Sequence, residues 1–260
     1  MAGVTGPNIS LDIAVGAIWS GQSWANAAAG AYNVQWQSML TALKGKLAAN
    51  GMDPKKVYIR FAHEMNGNWT EWNVPTGQEA NFRNAIARFS SLRYSTFSDT
   101  NAPQVVLCPN DGSSVGAANP ENLFVKTDGL DRKVVDVYCL DTYNQYPHRT
   151  DAAAVWASLN DTTNPDSIES HRKFAEAQGV PLSVGEWGNC GIASQCAGGG
   201  GESPAYVEQM NRYFRAHAGT GPGELLYDVQ FNLWPRFALY GPEGNQPATA
   251  AKYVSLVWGQ

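Results

Sequence analysis

Charge is scarce in this 260-residue chain: Asp, Glu, Lys and Arg make up only 16% of it, against about a quarter in an average soluble domain. No block of Lys or Arg stands out, and a net charge of −5 with a pI near 5.4 excludes the basic footprint that nucleic acid requires. No apolar run approaches the length of a membrane span. The opening MAGVTGPNIS has neither a basic nor an apolar segment of the kind a signal peptide carries. Nucleotide and nucleophile motifs are missing too: no GxGxxG follows the first strand-like run, and there is no P-loop and no GxSxG. His63-Glu64 does not open a zinc-protease HExxH, because residue 67 is Gly.

Cysteine is also sparse, and its four copies read as two kinds. Cys108 and Cys139 sit inside apolar, strand-like runs and read as buried thiols. Cys190 and Cys196 bracket a loop of Gly, Ala, Ser and Gln and read as a short disulfide. Zinc is the rival for that pair, but no CxxC or paired His accompanies it. A disulfide implies an oxidising compartment, secreted or periplasmic, with an export signal not present in this chain.

What is plentiful is Gly (26), Tyr (11) and Trp (9), within a chain that is 43% hydrophobic. That composition supports a proper core and suits handling of neutral, ring-shaped ligands. Short apolar runs alternate with longer amphipathic ones. Strands are expected over 8–15, 57–61, 104–108, 134–140, 181–184 and 225–233, and helices over 32–49, 78–93, 167–178, 206–217 and 249–257. Six strands alternating with helices predict an α/β fold with a parallel sheet, of the TIM (β/α)8 barrel type. With no linker, repeat or low-complexity tract, residues 1–260 read as a single (β/α) barrel domain.

Polar and aromatic residues gather at the C-terminal ends of these strands: Glu64, Asn110, Asp141 with Tyr143, Glu186, and Trp234. In a (β/α) barrel that edge carries the chemistry. Glu64 and Glu186 each end a buried strand beside tryptophan-bearing segments, and glycosidic cleavage needs two carboxylates, one to protonate the leaving oxygen and one to attack or to activate water. Either glutamate alone could be a structural carboxylate. His63 could be a core histidine, Asp141 a cap on the following turn, and Asn66 and Asn68 shapers of the loop. Trp36 and Trp156 read as helix-face packing, and His148, His171 and His217 as scattered, exposed residues.

HEMNGNW after an apolar strand, with GEWG late in the chain, resembles glycoside hydrolase family 26, a group of retaining endo-β-glycanases that includes the β-mannanases. SLDIAV, AAAGAYNVQWQSMLTAL and VYIRFAHEMNGNWTEW are similar to that family's third strand, third helix and fourth strand, VDVYCLDTYN to its sixth strand and GEWG to its seventh. The resemblance implies that Glu64 is the acid/base and Glu186 the nucleophile. It implies that His63 lies beside the bond cleaved, that Tyr143 aims Glu186, and that Trp69 and Trp234 are sugar platforms; Trp72 and Trp187, in the segments beside the two glutamates, are further candidate substrate contacts. Arg60, Asn110 and Asp141 would support the carboxylates, with no metal or cofactor required.

On the same resemblance the first two βα units are absent. Open strand edges would then allow self-association, and a catalytically impaired carbohydrate-binding protein becomes the alternative to an enzyme. A structural protein using the barrel as scaffold is a third, weaker reading. The expected partner is a neutral β-linked polysaccharide, mannan or an exopolysaccharide, with neither nucleic acid nor membrane.

Overall fold

A computed structural model describes residues 6–257; MAGVT, half of the opening segment considered above, lies outside the described residues. Among the described residues six parallel strands are interleaved with helices, a (β/α) fold of the TIM-barrel type. The chain divides into two units, Met1–Cys139 and Leu140–Gln260.

In the first unit, β1 (Leu11–Val15), β2 (Val57–Phe61), β3 (Gln104–Leu107) and the start of β4 (Val137–Asn144) pair in chain order. Leu11 lies beside Val57, Ile59 beside Val105 and Leu107 beside Tyr138. β2 is almost wholly buried, as its unbroken apolar run requires of a strand covered on both faces. Three helices, α1 (Trp24–Ala29), α2 (Asn33–Ala49) and α3 (Glu79–Phe97), supply aromatic rings around Phe61, the last residue of β2. Trp36 meets it edge-on at 5.5 Å and Phe89 at 4.6 Å, with Trp24 and Phe82 alongside. The indole of Trp36 also donates to Ala17 O at 2.9 Å, so its role is packing and anchoring, as its helix position suggested.

α3 runs one turn past its expected end because Arg93 faces inward. Its guanidinium donates to Pro103 O, Lys133 O and Ser90 Oγ and pairs with Asp136. Asp136 in turn accepts from the backbone of Val105 at the start of β3. The fourth strand starts later than expected: Val134 and Val135 donate instead to Lys126 O and Val125 O in a local antiparallel pairing.

Cys108 and Cys139, expected as thiols, are joined in a disulfide. The register explains it. Leu107 and Tyr138 are partners in a parallel ladder, so the next residue on each strand comes side by side, with Cα atoms 4.2 Å apart. The pairing of Cys190 with Cys196 is present as well.

The second unit holds the end of β4, α4 (Ala152–Leu159), α5 (Ile168–Gln178), β5 (Leu182–Asn189), α6 (Pro204–His217), β6 (Leu225–Gln230), the short α7 (Trp234–Phe237) and α8 (Pro247–Val257). Ser167, Asp151 and Ser203 cap their helices through side-chain oxygens, and Gly179 ends α5 in the left-handed region, where glycine is the residue without a Cβ penalty. Too short to show a period, α4 was not readable from the sequence; Trp156 on it lies under the guanidinium of Arg212. A network of Arg172, Glu169 and Tyr213 pins α5 to α6, with Arg172 gripping Glu169 through two nitrogens at 2.8 and 2.9 Å and Tyr213 donating to Glu169 at 2.7 Å. His171 is buried, not exposed, and burial pushes its imidazole down to about 4. Among the described residues no helix is long and apolar enough to cross a membrane.

Arg93→Met should destabilise the protein by about 3–5 kcal/mol, because Asp136 is left as a buried charge without its cation. Urea unfolding at neutral pH measures this as a lower midpoint, and a variant with an unchanged midpoint would show that the pair contributes nothing.

Candidate active site

Immediately after β2 the backbone turns in a way L-residues avoid: Ala62 and Glu64 have φ of 54° and 52°, a left-handed conformation that for such residues costs about 1–3 kcal/mol and persists only where neighbours enforce it. Here the neighbours are the flanking strand ends. Ala62 N donates to Val15 O at 3.0 Å, and Glu64 N donates to Cys108 O at 2.7 Å. The kink turns the Glu64 side chain toward two donors. Trp69 Nε1 binds Oε2 at 2.6 Å, and Asn110 Nδ2 binds Oε1 at 2.7 Å.

Asn110 is itself clamped by Asn66, a residue that sequence reasoning left as a loop former. The buried Asn66 amide donates to Asn110 O at 2.8 Å and accepts from Asn110 N at 2.9 Å, closing on the backbone as a neighbouring strand would. Its amide also donates to Ser113 Oγ, and its backbone carbonyl accepts from Ser114 N. The loop after β2 is thereby tied to the loop after β3. The only signal in the sequence is an Asn where an apolar residue would otherwise be expected between strand and turn.

Two tryptophans complete this half. Trp69 is 54% exposed, with its indole laid directly over Gly67, where a Cβ would collide with the ring. Trp72, expected to contact substrate, makes structural contacts of its own. Half-buried, it donates to His63 O at 2.7 Å, packs 5.4 Å from the His63 ring and leans on Gly16, so it holds the turn. Arg60 pairs with Asp12 at 2.6 Å, a partner on the adjacent β1 that sequence reading did not single out.

In the second unit, Glu186 lies within β5, since the strand runs on through GEWG to Asn189. Tyr143, near the end of β4, donates its hydroxyl to Glu186 Oε2 at 2.6 Å, the contact the resemblance implied. Asp141 is fully buried in β4. Trp187 is corrected: it is 2% exposed and packs against Tyr206, Phe214 and Tyr253, with its indole donating to Asp228. Neighbouring residues of a strand face opposite sides, so the position that aims Glu186 one way sends Trp187 under the helices. Burial pushes the Asp228 carboxyl up, against the hydrogen bond from Trp187.

Trp234 is 57% exposed and adopts φ of 58° as the first residue of α7. Phe231 touches it edge-on at 5.5 Å, and the Arg236 guanidinium lies 5.2 Å from its ring centre. A rigidly held, solvent-facing indole is the form a sugar platform takes. Beyond Glu186, Asn189 organises the following loop with every amide valence used: it accepts from Asn144 and His148 and donates to Gly201 O and Gln246 Oε1. His148, read as exposed, is therefore part of that loop's floor.

No family model and no curated protein matches the chain. Solved structures do. A mannanase from Bacillus subtilis shares 16% identity over 87% of this chain and 56% of its own, with a TM-score of 0.51. The catalytic domain of the GH26 endo-β-1,4-mannanase of Bacillus sp. JAMB-750 gives 15%, 91%, 60% and 0.53 in the same order. A broad-specificity GH5-4 endoglucanase from an uncultured bacterium gives 14%, 97%, 71% and 0.59. The chain thus spans less than two thirds of either mannanase. Because GH26 and GH5 proteins match alike, the likeness supports the fold these glycoside hydrolases share and does not single out family 26: this chain has a TIM-barrel-type fold similar to theirs.

Proposed function

We propose that this chain is the catalytic domain of a retaining endo-glycoside hydrolase acting on a neutral β-linked polysaccharide of mannan or exopolysaccharide type, with residues 1–260 working as one (β/α) barrel domain. The observation that carries the reading is that each of the two glutamates is gripped by polar donors: Glu64, just past β2, by Trp69 and Asn110, and Glu186, within β5, by Tyr143. In both cases a neutral N–H or O–H donor is directed at a single carboxylate oxygen, at 2.6–2.7 Å.

In this reading Glu64 gives its proton to the glycosidic oxygen as the Glu186 carboxylate attacks the anomeric carbon. The C–O bond to the leaving sugar breaks and an ester to Glu186 forms. Glu64, now ionised, removes a proton from water, which attacks the same carbon and releases Glu186. Tyr143 fixes the direction of the nucleophile, and Trp69 and Trp234 offer stacking faces. His63 sits beside the acid, while Arg60 and Asp141 support the carboxylates from within their strands. Retention requires the two carboxyl groups to stand about 5–5.5 Å apart. Two disulfides suit an oxidising compartment, so the enzyme acts outside the cytoplasm, on polysaccharide.

Glu186→Ala should lose about a thousand-fold or more in kcat, as expected when the covalent step is removed. An activated 2-fluoro sugar should label Glu186 in a peptide mass map; label elsewhere, or a fully active variant, sinks the assignment. Glycan binding with no release of reducing ends across a polysaccharide panel would identify a carbohydrate-binding protein instead.

Glu64→Ala should be slow on polysaccharide yet far less impaired on a dinitrophenyl glycoside, whose leaving group needs no proton. Added azide should speed its turnover and yield a β-glycosyl azide. Equal losses on both substrates would remove Glu64 from the acid/base role.

Gly67→Ala should drive the Trp69 indole off Glu64 and lower kcat about ten- to a hundred-fold, the scale of a mispositioned catalytic group. Trp69→Phe should show a comparable fall, and unchanged kinetics in both would mean that Trp69 does not position the acid.

A further inference from the structure

Behind Tyr143 lies a small sealed cluster with no part in substrate contact: the Cys190–Cys196 disulfide and Phe237, all buried, with Tyr143 and Phe231 packed against them. The Phe237 ring lies 4.5 Å from the Tyr143 ring at a shallow angle, and Phe231 meets the Tyr143 ring edge-on at 5.8 Å. The same disulfide loop holds α7 by its backbone. Gly191 N donates to Arg236 O at 2.6 Å, and the Arg236 guanidinium returns a bond to Gln195 O at 3.3 Å. Gly191 also packs against Gln246, so closely that a Cβ there would overlap it.

We infer that the Cys190–Cys196 disulfide and Phe237 are positioning elements for the nucleophile, a brace that keeps the Tyr143 hydroxyl on Glu186. The inference rests on the reading of Glu186 as nucleophile, but its structural half stands apart from it. A tyrosine ring held at one edge by a strand can still swing about its side-chain torsions. Its hydroxyl stays 2.6 Å from Glu186 only while the ring face is blocked, and Phe237 is the block. Phe237 in turn sits on a helix of four residues, too short to hold itself. The six-residue disulfide loop supplies the rigid backing. Since the closed loop is so short, its contribution to global stability is smaller than that of the Cys108–Cys139 bridge, whose span is five times longer. Its value is local.

The test compares Cys190→Ala/Cys196→Ala, Phe237→Leu, Tyr143→Phe and their combinations, each checked by circular dichroism for the native fold. In the wild-type background the double cysteine variant should lose about ten-fold in kcat, with a smaller change in KM. In the Tyr143→Phe background the same change should cost less than about two-fold, because an effect that acts through Tyr143 vanishes once its hydroxyl is gone. Phe237→Leu leaves the disulfide in place and should reproduce the pattern, so the idea stays open to refutation even if the cysteine variant folds poorly. Fully additive losses would overturn the brace. Crystal structures provide a readout independent of catalysis: the Tyr143–Glu186 contact should lengthen beyond hydrogen-bonding distance in both brace variants. If the contact lengthens but the wild-type protein hydrolyses no glycan, the glycosidase reading fails and the brace stands; if hydrolysis and contact are both untouched in the variants, the brace fails and the glycosidase reading stands.

Discussion

The left-handed turn at Ala62 and Glu64 is the constraint on which the first half of the site depends. Two carbonyls at the ends of the flanking strands, Val15 O on one side and Cys108 O on the other, capture the N–H groups of Ala62 and Glu64 and force the chain to kink as it leaves β2. Without that kink Glu64 would continue the alternation of the strand, and its carboxylate would not meet the indole of Trp69 and the amide of Asn110 together. The surrounding packing exists to make the capture obligatory. Phe61 is wedged among rings from three helices, and Cys108 is held by its bond to Cys139. Strain at the turn is therefore maintained by a rigid frame, which is how backbone outliers survive at functional positions.

Parallel strands interleaved with helices were legible because the apolar runs were short and bounded by Gly, Pro and Asn, and because Gly51 and Gly179 stood where helices had to stop. Glu64, Glu186 and Tyr143 were legible for a different reason: a polar residue at the end of a buried run is costly unless it has a task. What escaped was whatever depends on register. Cys108 and Cys139 read as unrelated thiols, since nothing in either run reveals that two strands bring them level. Trp187 read as a sugar contact because it follows Glu186 at what the sequence shows as a strand end; the strand runs on to Asn189, and its alternation buries the indole. Arg93 read as the end of a helix, because a cation on a helix face is ordinarily solvated, and only the fold supplies Asp136 and three acceptors.

The two glutamates are served by different kinds of support. Glu64 is held by residues from its own loop and the next, and these are held by one another: Asn66 clamps Asn110, Gly67 makes room for Trp69, and Trp72 fixes His63. Glu186 is part of a strand and needs little help in placement; Tyr143, which donates to it, is backed by aromatic packing and a covalent loop. On the proposed chemistry the division is reasonable. A nucleophile must approach one carbon along one line and benefits from a rigid mount, whereas an acid/base that gives up and later recovers a proton is suited to a cradle of adjustable hydrogen bonds.

The φ of Glu64 has one more implication. Its backbone conformation is one that glycine would occupy without penalty, so the chain carries at this position a residue that is locally the poorer choice for durability. Selection for endurance alone would drift toward glycine there and toward a hardier but chemically mute protein. On the proposed chemistry, a bulky acid in so unfavourable a posture is a compromise between longevity and work.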